Sequence, residues 1–225
     1  MLKKLLHKLL QNAGKTYIPD ENLSDKLIFS FLYQRLKMLV RGLVFYRKKI
    51  FIGSNVKIYN FQNINSGSNV TIEKNCTIDG FASKKLNIGN SVKIGAFSTI
   101  STTSHLSKVG IGVSIGHNSA IGEYSYFGAS GGISIGNDVI MGQYISFHSE
   151  NHNFQDASKL IREQGVSSKG IVIGNNVWVG AKVTFLDGCV VGNNSVVAAG
   201  AVVNTKFPDN CVIGGVPAKI LKNLE

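Results

Sequence analysis

The eight residues Phe147–Phe154, FHSENHNF, hold two histidines, a glutamate and two asparagines, in a chain with only five histidines. Such a set is suited to two chemistries. A neutral imidazole can take the proton of a hydroxyl or amine as it attacks an acyl donor, and a nearby carboxylate can orient the ring and stabilise the imidazolium. Alternatively, His148, Glu150 and His152 alternate, and an H-x-E-x-H strand can present three metal ligands on one side. The choice between them depends on the elements that hold the stretch.

Those elements follow a repeat. Ile173, Val179, Phe185, Val191, Val197 and Val203 stand six residues apart. The same step links Ile52 and Ile58, Ile72 and Ile78, Ile88 to Ile100, Ile115 to Phe127, and Ile135 to Phe147. A second register of smaller residues runs through Val177, Val183, Cys189, Ser195 and Ala201. Neither the helical period nor strand alternation gives a period of six. A hexapeptide repeat predicts a parallel β-helix with three flat sides per coil of about 18 residues, coils about 4.8 Å apart and the large apolar residue in the bore. The tripeptide IGN at 88–90, 135–137 and 173–175 marks tight corners, where Gly and Asn tolerate positive φ. The register breaks briefly at 104–114 and for longer at 148–171, and FHSENHNF opens the long break. Excursions of that length usually carry function.

Composition sets limits on the function. The net charge is +11, but residues 1–50 hold eleven Lys/Arg against three Asp/Glu, and the remainder thirteen against ten. A basic excess confined to one segment argues against a nucleic-acid groove along the whole protein. Cys76, Cys189 and Cys211 are odd in number and form no CxxC, which points to reduced, partly buried thiols in a cytoplasmic protein. The opening MLKKLLHKLL reads as an amphipathic helix, and its charges and lack of a cleavage site argue against a signal peptide. The stretch 26–49 is apolar but interrupted by Arg35, Lys37 and Arg41, too short between charges to span a bilayer. It has two readings: helices packed on the main domain or a sister subunit, and a basic amphipathic helix at a membrane surface. The chain divides into a helical segment 1–49, a β-helix 50–213 with the loop 148–171, and a C-terminal cap 214–225.

The ladder, the loop opening SENHNF, the run IVIGNNVWVGAKVTFLDGCVVGNNSVVAAGAVV and the closing GVPAKIL together resemble the left-handed β-helix acyltransferases. Within them, residues 50–222 are similar to bacterial sugar and polysaccharide O-acetyltransferases of the galactoside, maltose and xenobiotic acetyltransferase group. The resemblance implies left-handed coils, a homotrimer, acetyl-CoA as donor and active sites between subunits. It makes His152 the general base, with Glu163 of IREQG as the carboxylate that orients it and Glu150 as the second candidate. It places Trp178 in the wall of the donor site, the Ala181 N–H toward the thioester and Ala199 on the pantetheine arm. Lys219 falls near the nucleotide phosphates. Lys206 is carried over more weakly, because Asn204-Thr205-Lys206 shifts the lysine by one residue. His148 and Asn151 fall on the acceptor side. No metal is expected: zinc enzymes on this fold use a histidine pair on neighbouring coils, and the coil around His117 has no such follower. The reading is an O-acetyltransferase acting on a sugar hydroxyl in surface-polysaccharide assembly, cytoplasmic, at the inner membrane face if residues 1–49 bind lipid. An N-acetyltransferase for an amino-sugar nucleotide and a carbonic anhydrase-like zinc enzyme are the alternatives.

Overall fold

The computed structural model describes residues 2–12 and 18–225. From Ile50 onward the chain winds as a three-sided parallel β-helix. Each coil gives one short strand to each of three sheets, so strands that pair across a sheet lie one turn of the coil apart. Face one has nine strands, and faces two and three have seven each. The ninth strand of face one is a return, Ala218–Asn223, antiparallel to Cys211–Gly215.

The hexapeptide ladder fills the bore. Ile52, Ile72, Ile94, Met141, Val179 and Val197 stack on face one, and Ile88, Ile115, Ile135, Ile173 and Val191 on face three, all buried. Face two carries the largest rung: Phe127 pairs with Phe147 and Phe147 with Phe185, their rings stacked at 4.6 and 4.9 Å. All three rings are fully buried. Burying a side chain of this size contributes roughly 1.5–3 kcal/mol. Only Ile58, in the first coil, is half-buried, packed at the edge of the core.

Two corners have constant length. From face one to face two the inward residues are six apart in every coil, as in Ile52 to Ile58 and Val179 to Phe185; the same holds from face three to face one, as in Ile88 to Ile94 and Ile173 to Val179. All variation in coil length falls at the corner from face two to face three. Both breaks in the register lie there, leaving the strands Thr99–Ser101 and Ser146–His148.

The expected role of the IGN tripeptides needs correction. Gly89, Gly136 and Gly174 do not take positive φ; the left-handed residue is the one after each tripeptide, Ser91, Asp138 or Asn176. These glycines are needed for closeness, because a Cβ on any of them would sit within 2.8 Å of the next coil's backbone. The Asn of each tripeptide forms a ladder instead. Ser68 N–H donates to Asn90 Oδ1 at 2.9 Å, His117 N–H to Asn137 Oδ1 at 2.7 Å, and Asn137 N–H to Asn175 Oδ1 at 2.8 Å. His117 supplies a rung with its ring: Asn90 N–H donates to Nδ1 at 2.9 Å.

At the corner between faces one and two, Phe97, Tyr124 and Tyr144 occupy the left-handed region, where lower coils have Asn55 and Asn75. That conformation costs about 1–2 kcal/mol per residue. Their rings stack at 4.8 and 5.0 Å, nearly parallel. Each such pair returns about 0.5–1.5 kcal/mol, which offsets much of the strain.

Helix α1 spans Leu2–Asn12 and helix α2 spans Asp25–Tyr46. The Ser24 side chain caps α2 by accepting from Leu27 N–H, and Arg47 ends it in the left-handed conformation. Gly42 lets α2 touch the first coil, since a Cβ there would collide with the Ile50 carbonyl. The Arg35 guanidinium lies 3.4 Å above the Phe51 ring and donates to Thr71 Oγ1 at 3.0 Å. Burial lowers the Arg35 pKa, and Glu73 partly opposes that shift. No helix among the described residues is long and apolar enough to cross a membrane.

Candidate active site

The long excursion is a braced hairpin. Asn151 pairs with Ser167 and His152 with Val166 in a short antiparallel ladder. Asn153 extends it, its N–H donating to Gly165 O and its side chain to Gln164 O, both at 3.0 Å. Gln164 then holds the tip: its amide donates to Asp156 O at 2.8 Å and accepts from Asp156 N–H at 3.1 Å. Asp156 is held below the usual carboxylate range, chiefly by the Ser158 hydroxyl and then by Lys159.

Both roots are tied to the β-helix. Buried Ser149 accepts from Gly131 N–H at 2.9 Å and donates to Gly128 O at 2.8 Å. On the returning arm, Asp187 Oδ1 accepts from the N–H groups of Lys169 and Gly170 at 2.7 and 2.8 Å. The short excursion reaches across as well, with Lys108 Nζ donating to Ser168 Oγ at 2.8 Å. Ser149, Gln164, Asp187 and Lys108 were not singled out by the sequence reading.

The hairpin presents His152 to solvent, and its ring has no hydrogen-bond partner among the described residues. Glu163 ends a 3-10 turn, Ile161–Glu163, on the returning arm. Its carboxylate makes no hydrogen bond to His152, so the expected ring-orienting contact is not formed within one chain. Glu150 turns the other way and accepts from the Ser104 hydroxyl at 3.0 Å. His148 stands on face two, its Nε2 sharing a 2.7 Å hydrogen bond with Ser146 Oγ beside the Tyr126 ring. Asn151 is exposed. His148, Glu150 and His152 therefore do not converge, and no cluster among the described residues is arranged to hold a metal ion.

The residues expected on the donor side lie elsewhere on the prism. Trp178 is on face one, 60% exposed, between Ile140 and Val196. It lines a cavity of about 240 Å³ with Ile140, Asn194, Val196 and Leu224. Ala181 and Ala199 occupy the corner between faces one and two, joined by Gly200 N–H to Ala181 O at 2.9 Å. Their own N–H groups have no acceptor among the described residues. Lys219 is on the return strand opposite Gly214, while Lys206 is on face three opposite Val190. The two lysines are thus not brought together. A second cavity, about 310 Å³, lies on face three beside Lys84, Lys85 and Lys169. Neither cavity includes His152. Within one chain His152 and the corner that holds Ala181 and Ala199 stand apart, separated by the width of face two.

The cysteines offer no nucleophile. All three are buried; burial pushes the Cys189 thiol up to about 12 and raises Cys76.

Residues 170–205 match the family model described as bacterial transferase hexapeptide (six repeats). Over 112 residues the chain is 33% identical to WbbJ of Escherichia coli K12, provisionally named a lipopolysaccharide biosynthesis O-acetyl transferase. The match covers 47% of this chain and 57% of that protein, so it spans little more than half of the relative's length. A hexapeptide-repeat acetyltransferase from Vibrio cholerae O1 biovar eltor, solved with acetyl coenzyme A, superposes with a TM-score of 0.54 at 26% identity, covering 62% of this chain and 71% of the other. An N-acyltransferase from Bacillus cereus, solved with dTDP and coenzyme A, gives a TM-score of 0.57 at 20% identity over 79% and 83% of the two chains, which speaks to the fold alone. The chain shares the left-handed β-helix of these acyltransferases.

Proposed function

We propose that this left-handed hexapeptide-repeat β-helix, similar to bacterial acetyltransferases, moves an acetyl group from acetyl-CoA to a sugar hydroxyl in surface-polysaccharide assembly. The observation that carries the mechanism is the hairpin tied at both roots, which holds an imidazole with no hydrogen-bond partner among the described residues. Likeness to a protein named for lipopolysaccharide biosynthesis supports the glycan class. His152 takes the acceptor's hydroxyl proton as the oxygen attacks the thioester carbon. The carbon–sulfur bond breaks, and the imidazolium returns the proton to the departing thiolate. The free Ala181 N–H is suited to the developing oxyanion. Trp178, Ala199 and Lys219 lie along the donor's path, with Lys206 in a lesser role, and His148 and Asn151 face the acceptor. Glu163 or Glu150 orients the ring only once the assembly or a substrate has drawn it in.

The separation of His152 from Trp178 and Ala181 supports a homotrimer in which each site takes its base from one subunit and its donor groups from the next. The place of work is the cytoplasm, at the inner face of the membrane, with residues 1–49 as the point of contact.

The test is to incubate the full chain with labelled acetyl-CoA and a panel of lipid-linked, nucleotide-linked and polymeric glycans. An alkali-labile ester on a glycan is the expected product. An alkali-stable amide on an amino-sugar nucleotide would reassign the acceptor, and no transfer to any of them would overturn the reading.

A further inference from the structure

Helix α2 carries an apolar stripe that has no partner among the described residues. The inner face, with Ile28, Arg35 and Gly42, packs on the first coils. Next to it runs a stripe of Phe29, Tyr33, Leu36, Val40 and Leu43, spaced four, three, four and three residues apart, each 49–64% exposed. At 100° per residue these five share one arc of the helix. A further side carries Lys26 and Lys37, with Arg41 beside them reaching back to donate to Ile52 O at 3.3 Å; Leu27, Phe31 and Phe45 are exposed between that side and the inner face, and the Lys37 ammonium sits 5.1 Å from the Tyr33 ring at the edge of the stripe. Helix α1 packs against α2 and buries Leu6, yet the stripe stays open.

Such spacing suits a second helix, and the obvious donor is another copy of this chain. Charge decides against it. Between Asp25 and Glu73 the chain carries eight Lys or Arg and no Asp or Glu. Two copies meeting stripe to stripe would set basic rows side by side with no acid to pair them, which is the arrangement that specific helix pairs avoid. An anionic lipid surface complements both features, taking the apolar stripe into its headgroup layer and the flanking cations onto its phosphates.

We propose that α2 lies in the plane of an anionic membrane surface, with Phe29, Leu36, Val40 and Leu43 at the acyl boundary and Lys26 and Lys37 among the phosphates. The helix is about 33 Å long, so the contact is extended along the surface rather than a point anchor. This deepens the reading given above, on which it rests for its biological sense, because a lipid-carried glycan would meet the enzyme at that surface.

The test is co-sedimentation of the full chain with phosphatidylcholine vesicles with and without phosphatidylglycerol, at low and high salt. Binding is expected only with the anionic lipid and should weaken as salt rises. The double variant Leu36→Asp/Val40→Asp should bind at least tenfold more weakly with an unchanged melting temperature, since both side chains are exposed. Lys26→Glu/Lys37→Glu should also weaken binding, each basic residue near such a surface being worth roughly fivefold in partition. Equal vesicle binding by wild type and Leu36→Asp/Val40→Asp, or none by either, overturns the proposal. So does a loss of oligomer mass in that variant without vesicles, which would give the stripe to a second copy. Acetyl transfer to a soluble acceptor is measured on the same preparations. Transfer without lipid binding sinks the surface proposal alone, and lipid binding without transfer sinks the acetyltransfer reading alone.

Discussion

The Ser104 hydroxyl donates to Glu150 Oε1 at 3.0 Å and so joins the short excursion to the long one. Ser130 supports Ser104 in turn, its hydroxyl donating at 3.2 Å, and Lys108 grips the other arm through Ser168. The histidine hairpin is therefore held from beneath by a different coil. Ser104→Ala/Lys108→Ala should loosen the hairpin and lower kcat while leaving the KM for acetyl-CoA unchanged, because none of these groups lies on the donor side. Steady-state kinetics with each substrate varied in turn checks this. A rise in the acetyl-CoA KM with kcat intact would place the short excursion on the donor side.

His152→Ala should lower acetyl transfer by roughly 10²–10⁴-fold. The residue is exposed and its ring makes no hydrogen bond among the described residues, so the melting temperature and calorimetric acetyl-CoA affinity should hold. Wild-type turnover in this variant would remove His152 from the mechanism.

A shared site can be tested by mixing. Ala199→Trp fills an exposed corner position at which the proposed function puts the donor, and His152→Ala removes the proposed base. Each homogeneous variant should be inactive. Co-refolded mixtures should regain turnover, since some sites then combine an intact hairpin with an intact donor corner. Mixed oligomers that form and stay inactive would confine the site to one chain.

The two aromatic stacks predict opposite outcomes. Phe147→Ala opens a cavity between Phe127 and Phe185 in the bore and should cost about 3–5 kcal/mol in urea unfolding. Tyr124→Asn loses two ring contacts at the surface but relieves a left-handed backbone that Asn tolerates, and should change stability by about 1 kcal/mol or less. A large loss from Tyr124→Asn would mean that the outer column is a structural spine.

Stability should fall in alkali. An unfolded thiol ionises near pH ~8.5, whereas burial holds Cys189 up to about 12 and raises Cys76. Between those values the unfolded chain has released protons that the native chain keeps. The contribution is therefore complete below about pH 8.5 and is lost as pH climbs toward 12. The urea midpoint should be lower at pH 10 than at pH 7, and a thiol reagent should find three cysteines only after unfolding. Ready labelling of the native chain would contradict the burial.

The ladder was legible because a period of six belongs to neither helix nor sheet alternation, and every later rung was buried as read. The corner glycines were misread because sequence shows that a small residue recurs but not why; at Gly136 the demand is the nearness of the Gly174 carbonyl rather than a positive φ. His117 was set aside for lacking a metal-like partner, although its place after Gly116 matches Asn90 after Gly89, and its ring replaces an asparagine rung. The hairpin was visible as a break in register. Its braces were not, because a side chain such as Ser149, Gln164 or Asp187 bonded to backbone across a loop leaves no period to detect. Glu163 was named for its position before the returning strand; it ends the 3-10 turn Ile161–Glu163 and makes no hydrogen bond to His152, a contact that no periodicity in the sequence could have specified.

Because only one corner of the prism varies in length, a segment added there enters no ladder and shifts no rung. Residues inserted at either of the other two corners would re-index every coil that follows. The corner beyond face two thus works as a socket on a rigid frame, where hairpins of different reach and charge can be exchanged while the corner of Ala181 and Ala199 stays as built. On the proposed function, acceptor choice and donor binding can then change independently, and a hairpin transplanted between the strands Ser146–His148 and Ile171–Ile173 is expected to bring its acceptor preference with it.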